Sequence, residues 1–181
     1  MIAKLMRLLC LLSCLWFVFP SVLVKAQTPE EWVTLGKRVH GGFGSYIALG
    51  IRVGLDAMQR LDAKPRDLDV TYLDGANAPC PCVADGIMIA TVATPGQYSL
   101  RVVPSKNDSR NFGVILIKNK KTKKSLRYVI PAEARSLLDK WNRELDERQR
   151  YETVMNAPSD SLYRLDTDDK SAKPAYNLHQ N

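Results

Sequence analysis

Phe112-Gly113-Val114-Ile115-Leu116-Ile117 is apolar from end to end and does not alternate with polar residues. An unalternating run of this length predicts a central strand covered on both faces. On either side of it, Ser125 to Ile130 and Tyr98 to Val103 also read as strands, and Asp69 to Leu73 alternates with Val70 and Tyr72 on one face. Between two of these strands Lys118 to Lys124 holds five lysines in seven positions. That run fits a solvated hairpin tip, whose charges discourage edge pairing, better than an anion-binding patch.

Helical segments surround the strands. Residues 28–39 open with Thr28 and Pro29 at cap and first-turn positions, with Glu30 and Glu31 near the positive helix end. From Tyr46 to Leu61, Ile47, Ile51, Leu55 and Met58 fall at helical spacing, beside a small-residue stripe of Gly50, Gly54 and Ala57. Glycine inside a helix costs about 1 kcal/mol against alanine, so close backbone packing is expected there. Cys82 to Ala93, with its small residues and Asp85-Gly86 pair, reads as a buried helix. Pro131 is expected to open a last helix, with Ala134, Leu137, Leu138, Trp141 and Leu145 on one stripe. The fold class is therefore α+β: helix, strand and helix, then three strands in a mixed sheet, and a C-terminal helix.

Charge and cysteine content change meaning once the ends are set apart. Lys4 and Arg7 precede an apolar stretch from Leu8 to Phe19, and Val24-Lys25-Ala26 has a small-residue exit. The stretch is too short to span about 30 Å of hydrocarbon. Residues 1–26 thus read as a signal peptide, with export to the periplasm or beyond and no stable membrane insertion after cleavage. Cleavage would remove Lys4, Arg7, Lys25, Cys10 and Cys14, leaving 23 Lys plus Arg against 19 Asp plus Glu. That modest excess suits solubility and excludes a nucleic-acid footprint. Residues 27–155 form the expected domain. The polar residues 156–181 read as a disordered tail, which gives His179 no role.

Two segments can carry chemistry. His40-Gly41-Gly42-Phe43-Gly44-Ser45 places a histidine and bare backbone before a helix. It lacks the G-x-S-x-G elbow of a lipase and the third glycine of a dinucleotide fingerprint. Gly42, Gly44 and Ser45 remain a loop that a small anionic ligand, or the open side of a metal, can approach. Cys80-Pro81-Cys82 is the other segment, and Asp85 shares a helix face with Cys82. A thiolate, an imidazole and a carboxylate suit zinc or a similar borderline metal with one position open. A structural thiol pair with a capping Asp85 stands beside that reading. So does a disulfide between the two cysteines, closing a very small ring that Pro81 stiffens.

Taken together, His40-Gly41-x-Phe43-Gly44-x-Tyr46-x-x-Leu49-Gly50-x-Arg52-x-Gly54-x-x-Ala57, then Cys82-x-x-Asp85-Gly86-Ile87 and Thr91-x-x-Thr94-x-Gly96, resemble the formylmethanofuran dehydrogenase FmdE family. The resemblance runs from about Val39 to Val103. It implies an α+β domain, often a dimer, with a metal site, usually zinc, between the His-Gly loop and the Cys-x-x-Asp segment. The family's loop commonly reads His-Gly-His followed by Cys-Pro-Gly, where this chain has Gly42, Gly44 and Ser45. Val92 stands at a family glycine, and Gln97 replaces a lysine. The donors left for a metal are His40, Cys82 and Asp85, with Cys80 as a local substitute. Two expectations follow: an exported zinc-binding domain, or a metal-free module for a small ligand or a protein partner that has lost the site. A thiol–disulfide enzyme built on the cysteine pair ranks behind both.

Overall fold

A computed structural model of the chain describes residues 27–105 and 109–166. The expected leader, 1–26, and the last part of the expected tail, 167–181, lie outside the described residues. Within them, five helices pack with one five-stranded mixed sheet. None of these helices is long and apolar enough to cross a membrane.

Helix α1 (Pro29–His40) starts as its sequence dictates. Thr28 Oγ accepts from the Glu31 N–H, and the Glu31 carboxylate accepts from the Thr28 N–H at 2.8 Å, a reciprocal capping box. Gly41, at φ 91°, ends the helix in the left-handed region, and its N–H donates to the Lys37 carbonyl at 2.9 Å. Helix α2 (Ser45–Arg60) begins a few residues later and is buried along most of its length.

Strand β1 (Leu68–Gly75), helix α3 (Cys82–Thr91) and strand β2 (Leu100–Ser105) make a crossover unit, and β1 and β2 are parallel. Strands β3 (Asn111–Asn119) and β4 (Ser125–Pro131) form an antiparallel hairpin, with β3 also antiparallel to β1. A short fifth strand, β5 (Arg164–Asp166), completes the sheet in the order β2-β1-β3-β4-β5. This order puts β3 in the middle, as the run from Phe112 predicts. Phe112, Ile115 and Ile117 are buried there, and the Phe112 ring stacks on Tyr46 of α2 with centroids 5.2 Å apart. The lysine-rich tip is a tight turn organised by buried Asn119. Its Oδ1 accepts from the N–H groups of Lys121 and Thr122, and its Nδ2 donates to the Leu61 carbonyl.

Helices α2 and α3 cross at their glycines. A Cβ on Gly50 would collide with the Val83 carbonyl oxygen, and one on Gly86 with the Ile47 carbonyl oxygen. The small-residue stripe is therefore a packing requirement: the backbones touch, and no side chain fits between them.

Four expectations need correction. The single C-terminal helix is two, α4 (Ala134–Glu144) and α5 (Glu147–Asn156). Leu145 is extended, and Asp146 starts a new capping box with Gln149, a signal that competes with continuing the helix. Pro131 closes β4 rather than opening a helix. Strand β2 begins at Leu100 because Tyr98, at φ 54°, turns the chain before it. Most consequentially, residues 156–166 are not a tail. Leu162 and Tyr163 are buried, and β5 pairs with β4. The cause is Arg52 of α2, whose guanidinium donates to the carbonyls of Val154 at 2.6 Å and Ala157 at 2.7 Å and to Ser159 Oγ at 2.9 Å. It also lies 5.6 Å from the Tyr163 ring centroid.

Candidate functional site

The end of α1 meets the start of α3, and that junction brings two of the candidate residues together. His40 is the last residue of α1 and Asp85 lies in the first turn of α3. His40 Nδ1 and Asp85 Oδ2 are 2.7 Å apart, with about a third of each side chain exposed (34% and 36%). The placement suits both helices, since a histidine is favoured near a C-terminus and a carboxylate near an N-terminus. With Nδ1–H donating to the carboxylate, the imidazole is held in one tautomer and Nε2 is left as an acceptor. Among the described residues Nε2 has no hydrogen-bond partner.

The glycine loop is placed by its neighbours. Phe43 is buried, 6.3 Å from the Tyr151 ring of α5, in space that Gly36 of α1 leaves open by lacking a side chain. Arg150 of α5 donates to the Phe43 carbonyl at 3.0 Å and to the Asn142 carbonyl at 2.8 Å. Asn142 Oδ1 then accepts from the Ser45 N–H at 2.8 Å, and Ser45 Oγ donates to the Leu138 carbonyl at 2.8 Å. Ser45, expected to face a ligand, is fully buried and committed to α4. Gly44 lies against Asn142, where an added Cβ would come within 3.2 Å of Oδ1. Of the loop glycines, Gly41 and Gly42 keep open space around them. The start of α2 is therefore not an anion cradle, because Asn142 occupies the position an anion would take. Nothing in the sequence around Asn142 announces that role. Arg150 and Arg52 are at least detectable as cations amid otherwise apolar contacts.

The cysteine segment is anchored from the other side. Arg135 of α4 donates to the Asn77 carbonyl at 2.7 Å and reaches Asp139 Oδ2 at 3.4 Å. The Tyr46 hydroxyl donates to Asp139 as well, and burial, then that carboxylate, pushes the phenol well above its usual range. At the end of β1, burial raises the Asp74 carboxyl, an effect partly opposed by the Tyr72 hydroxyl. Cys80 and Cys82 are joined by a disulfide, with their Cα atoms 5.3 Å apart. Cys82, the first residue of α3, is buried, whereas Cys80 is partly accessible.

This disulfide decides how the donor set fits zinc. A catalytic zinc takes three protein ligands and a structural one four, and a cysteine ligand must be a thiolate. Neither Cys80 nor Cys82 has a thiolate to give, and the facing atoms of His40 and Asp85 are spent on each other. Among the described residues no three His, Cys, Asp or Glu side chains are grouped to hold a metal ion. In this form the residues do not fit a zinc ion.

Comparison with known proteins agrees with the fold and extends past the motifs. No curated protein matches the chain. The family model described as FmdE, molybdenum formylmethanofuran dehydrogenase operon, matches residues 39–169, a span that includes α4, α5 and β5 as well as the His-Gly and Cys-x-x-Asp segments. That match covers well over half of the 181 residues, and the chain belongs to the FmdE family.

Proposed function

We propose that this FmdE-family domain is a metal-free binding module in its disulfide form, and that His40, oriented by Asp85, is the residue that contacts a small polar ligand. The observation that carries this reading is the 2.7 Å His40–Asp85 contact between two helix ends. A carboxylate on Nδ1 fixes the ring and raises the basicity of Nε2, which then accepts a proton or hydrogen bond from an acidic O–H. The open space at Gly41 and Gly42, beside the end of α1, gives such a ligand room to approach. A working place outside the cytoplasm agrees with the character of residues 1–26 and with a formed disulfide, which the cytoplasm would reduce.

The test is nitrogen-15 NMR of the histidine side chains, with inorganic phosphate as a probe that carries both an O–H and negative charge. His40 is expected in the Nδ1–H tautomer, with its Nε2 resonance moving on phosphate addition. Asp85→Asn should mix the tautomers and weaken the response about tenfold or more. A His40 signal indifferent to both phosphate and Asp85→Asn would defeat the proposal.

A further inference from the structure

The disulfide and the His40–Asp85 pair occupy adjoining positions on the first turn of α3, and no role described so far requires them to be adjacent. We infer that the Cys80–Cys82 disulfide is a reducible clasp over a latent zinc site, so that the redox state of this pair decides whether the domain takes up the metal. The inference rests on the proposed His40–Asp85 site and adds a state to it.

Geometry supplies the donors. Cys82 and Asp85 are three residues apart on one helix, which sets their Cβ atoms about 5–6 Å from each other. His40 Nδ1 already lies 2.7 Å from Asp85, and the Cys80 Cα is 5.3 Å from that of Cys82. Opening the disulfide would release two thiolates beside an imidazole and a carboxylate. Two sulfurs, one nitrogen and one oxygen form a set that zinc accepts in a tetrahedral shell. Closing the bond removes both sulfurs at once and leaves two donors, too few for a site.

The chemistry balances with a dithiol as reductant. One of its thiolates attacks the sulfur of Cys80, the more accessible of the two, and the S–S bond breaks with Cys82 leaving as a thiolate. The first turn of α3 favours that charge, as helix starts do. The reductant's other thiolate then attacks the mixed disulfide, frees Cys80 and closes the reductant's own disulfide. Two electrons have passed to the cysteine pair. The two thiols carry protons from solvent until zinc displaces them.

Zinc uptake by the purified protein, measured by competition with a chromophoric chelator before and after reduction with a phosphine, tests the clasp. Reduced protein is expected to bind one zinc per chain and oxidised protein none. Cobalt in place of zinc should show thiolate-to-metal charge-transfer absorption in the reduced state alone. Cys82→Ser should abolish uptake, and Asp85→Asn should weaken it about 10- to 100-fold. A Cys80→Ala/Cys82→Ala double variant, checked for folding by circular dichroism, should bind no zinc under either condition. Equal uptake by the oxidised and reduced protein, no uptake by folded reduced protein, or zinc binding by the double variant would each overturn the inference. If a cysteine variant fails to fold, the oxidised-against-reduced comparison on the natural sequence still decides. Failure of the clasp alone leaves the phosphate response of His40 in oxidised protein intact. Failure of the underlying site abolishes that response too.

Discussion

Gly41 and Gly42 border the His40 site with nothing within 4 Å of an added Cβ, while Gly50 and Gly86 sit where such an atom would strike backbone. The first pair belongs to the stretch that most resembles a functional loop in the sequence. The other pair resembles an ordinary run of small residues inside helices. Structurally their weights are reversed. The α2–α3 crossing fixes where α3 begins, and so fixes where Asp85 stands relative to His40. The open loop shapes access to the site, and the buried crossing makes the site.

The largest effect should come from filling that crossing. In Gly86→Ala the new methyl meets the Ile47 carbonyl oxygen, and the Gly50 Cα and Ile51 N are each 2.8 Å away. These are backbone atoms, which no side-chain rotation can clear. Gly86→Ala is expected to cost about 3 kcal/mol or more, at the upper end of overpacking effects. Urea unfolding checks it, with the midpoint falling and the slope unchanged. The same variant should lose the His40 tautomer preference, because α3 must move away from α2. A Gly86→Ala protein with natural stability and a natural His40 signal would erase the contrast where it is strongest.

The same contrast separates what is legible in the sequence from what is not. Periodicity reveals the central strand from Phe112 and the burial of α2 and α3, because covered faces leave a local pattern of apolar residues. The stripe of Gly50 and Gly54 announces close packing for the same reason. His40 and Asp85 are recoverable because both sit in short motifs of unusual composition. The separation of α4 from α5 is hidden although Asp146 and Gln149 spell a capping box, since the apolar stripe through Leu145 is the louder signal. Burial of Leu162 and Tyr163 is not legible at all. It depends on Arg52, about a hundred residues earlier (separations of 102 to 107), donating to carbonyls and a hydroxyl whose positions only the fold defines. Ser45 misleads for a like reason: the cap that consumes its N–H comes from Asn142 on another helix.

A middle-sized effect should come from adding a glycine where the crossing helix ends. Val92 stops α3 at φ 57° and ψ 23°, with its N–H donating to the Met88 carbonyl at 2.8 Å. A β-branched residue in the left-handed region is strained, at about 1–2 kcal/mol. The family has glycine here, a residue that adopts this conformation freely. Val92→Gly should therefore raise stability by about 1 kcal/mol, after some loss of side-chain burial and the greater freedom of an unfolded glycine. The urea midpoint reads the sign directly. A drop instead would show that contacts of the Val92 side chain outweigh its backbone strain, and would place the end of α3 with the tightly packed region.

The smallest effect belongs to the open loop, and it tests the other half of the contrast. Gly42 has no neighbour within 4 Å of an added Cβ and does not occupy the left-handed region, which among the described glycines is confined to Gly41. A methyl at position 42 therefore neither clashes nor strains the backbone, and it narrows the unfolded ensemble. Gly42→Ala should leave stability unchanged or raise it by up to about 1 kcal/mol. Gly41→Ala, one residue earlier at φ 91°, should instead cost about 1–2 kcal/mol through backbone strain, with no steric contact at all. Thermal unfolding of the two variants side by side separates space from conformation as the reason for a glycine. A Gly42→Ala loss as large as that of Gly41→Ala would mean that the loop tolerates no side chain anywhere. Its openness would then no longer distinguish it from the crossing of α2 and α3.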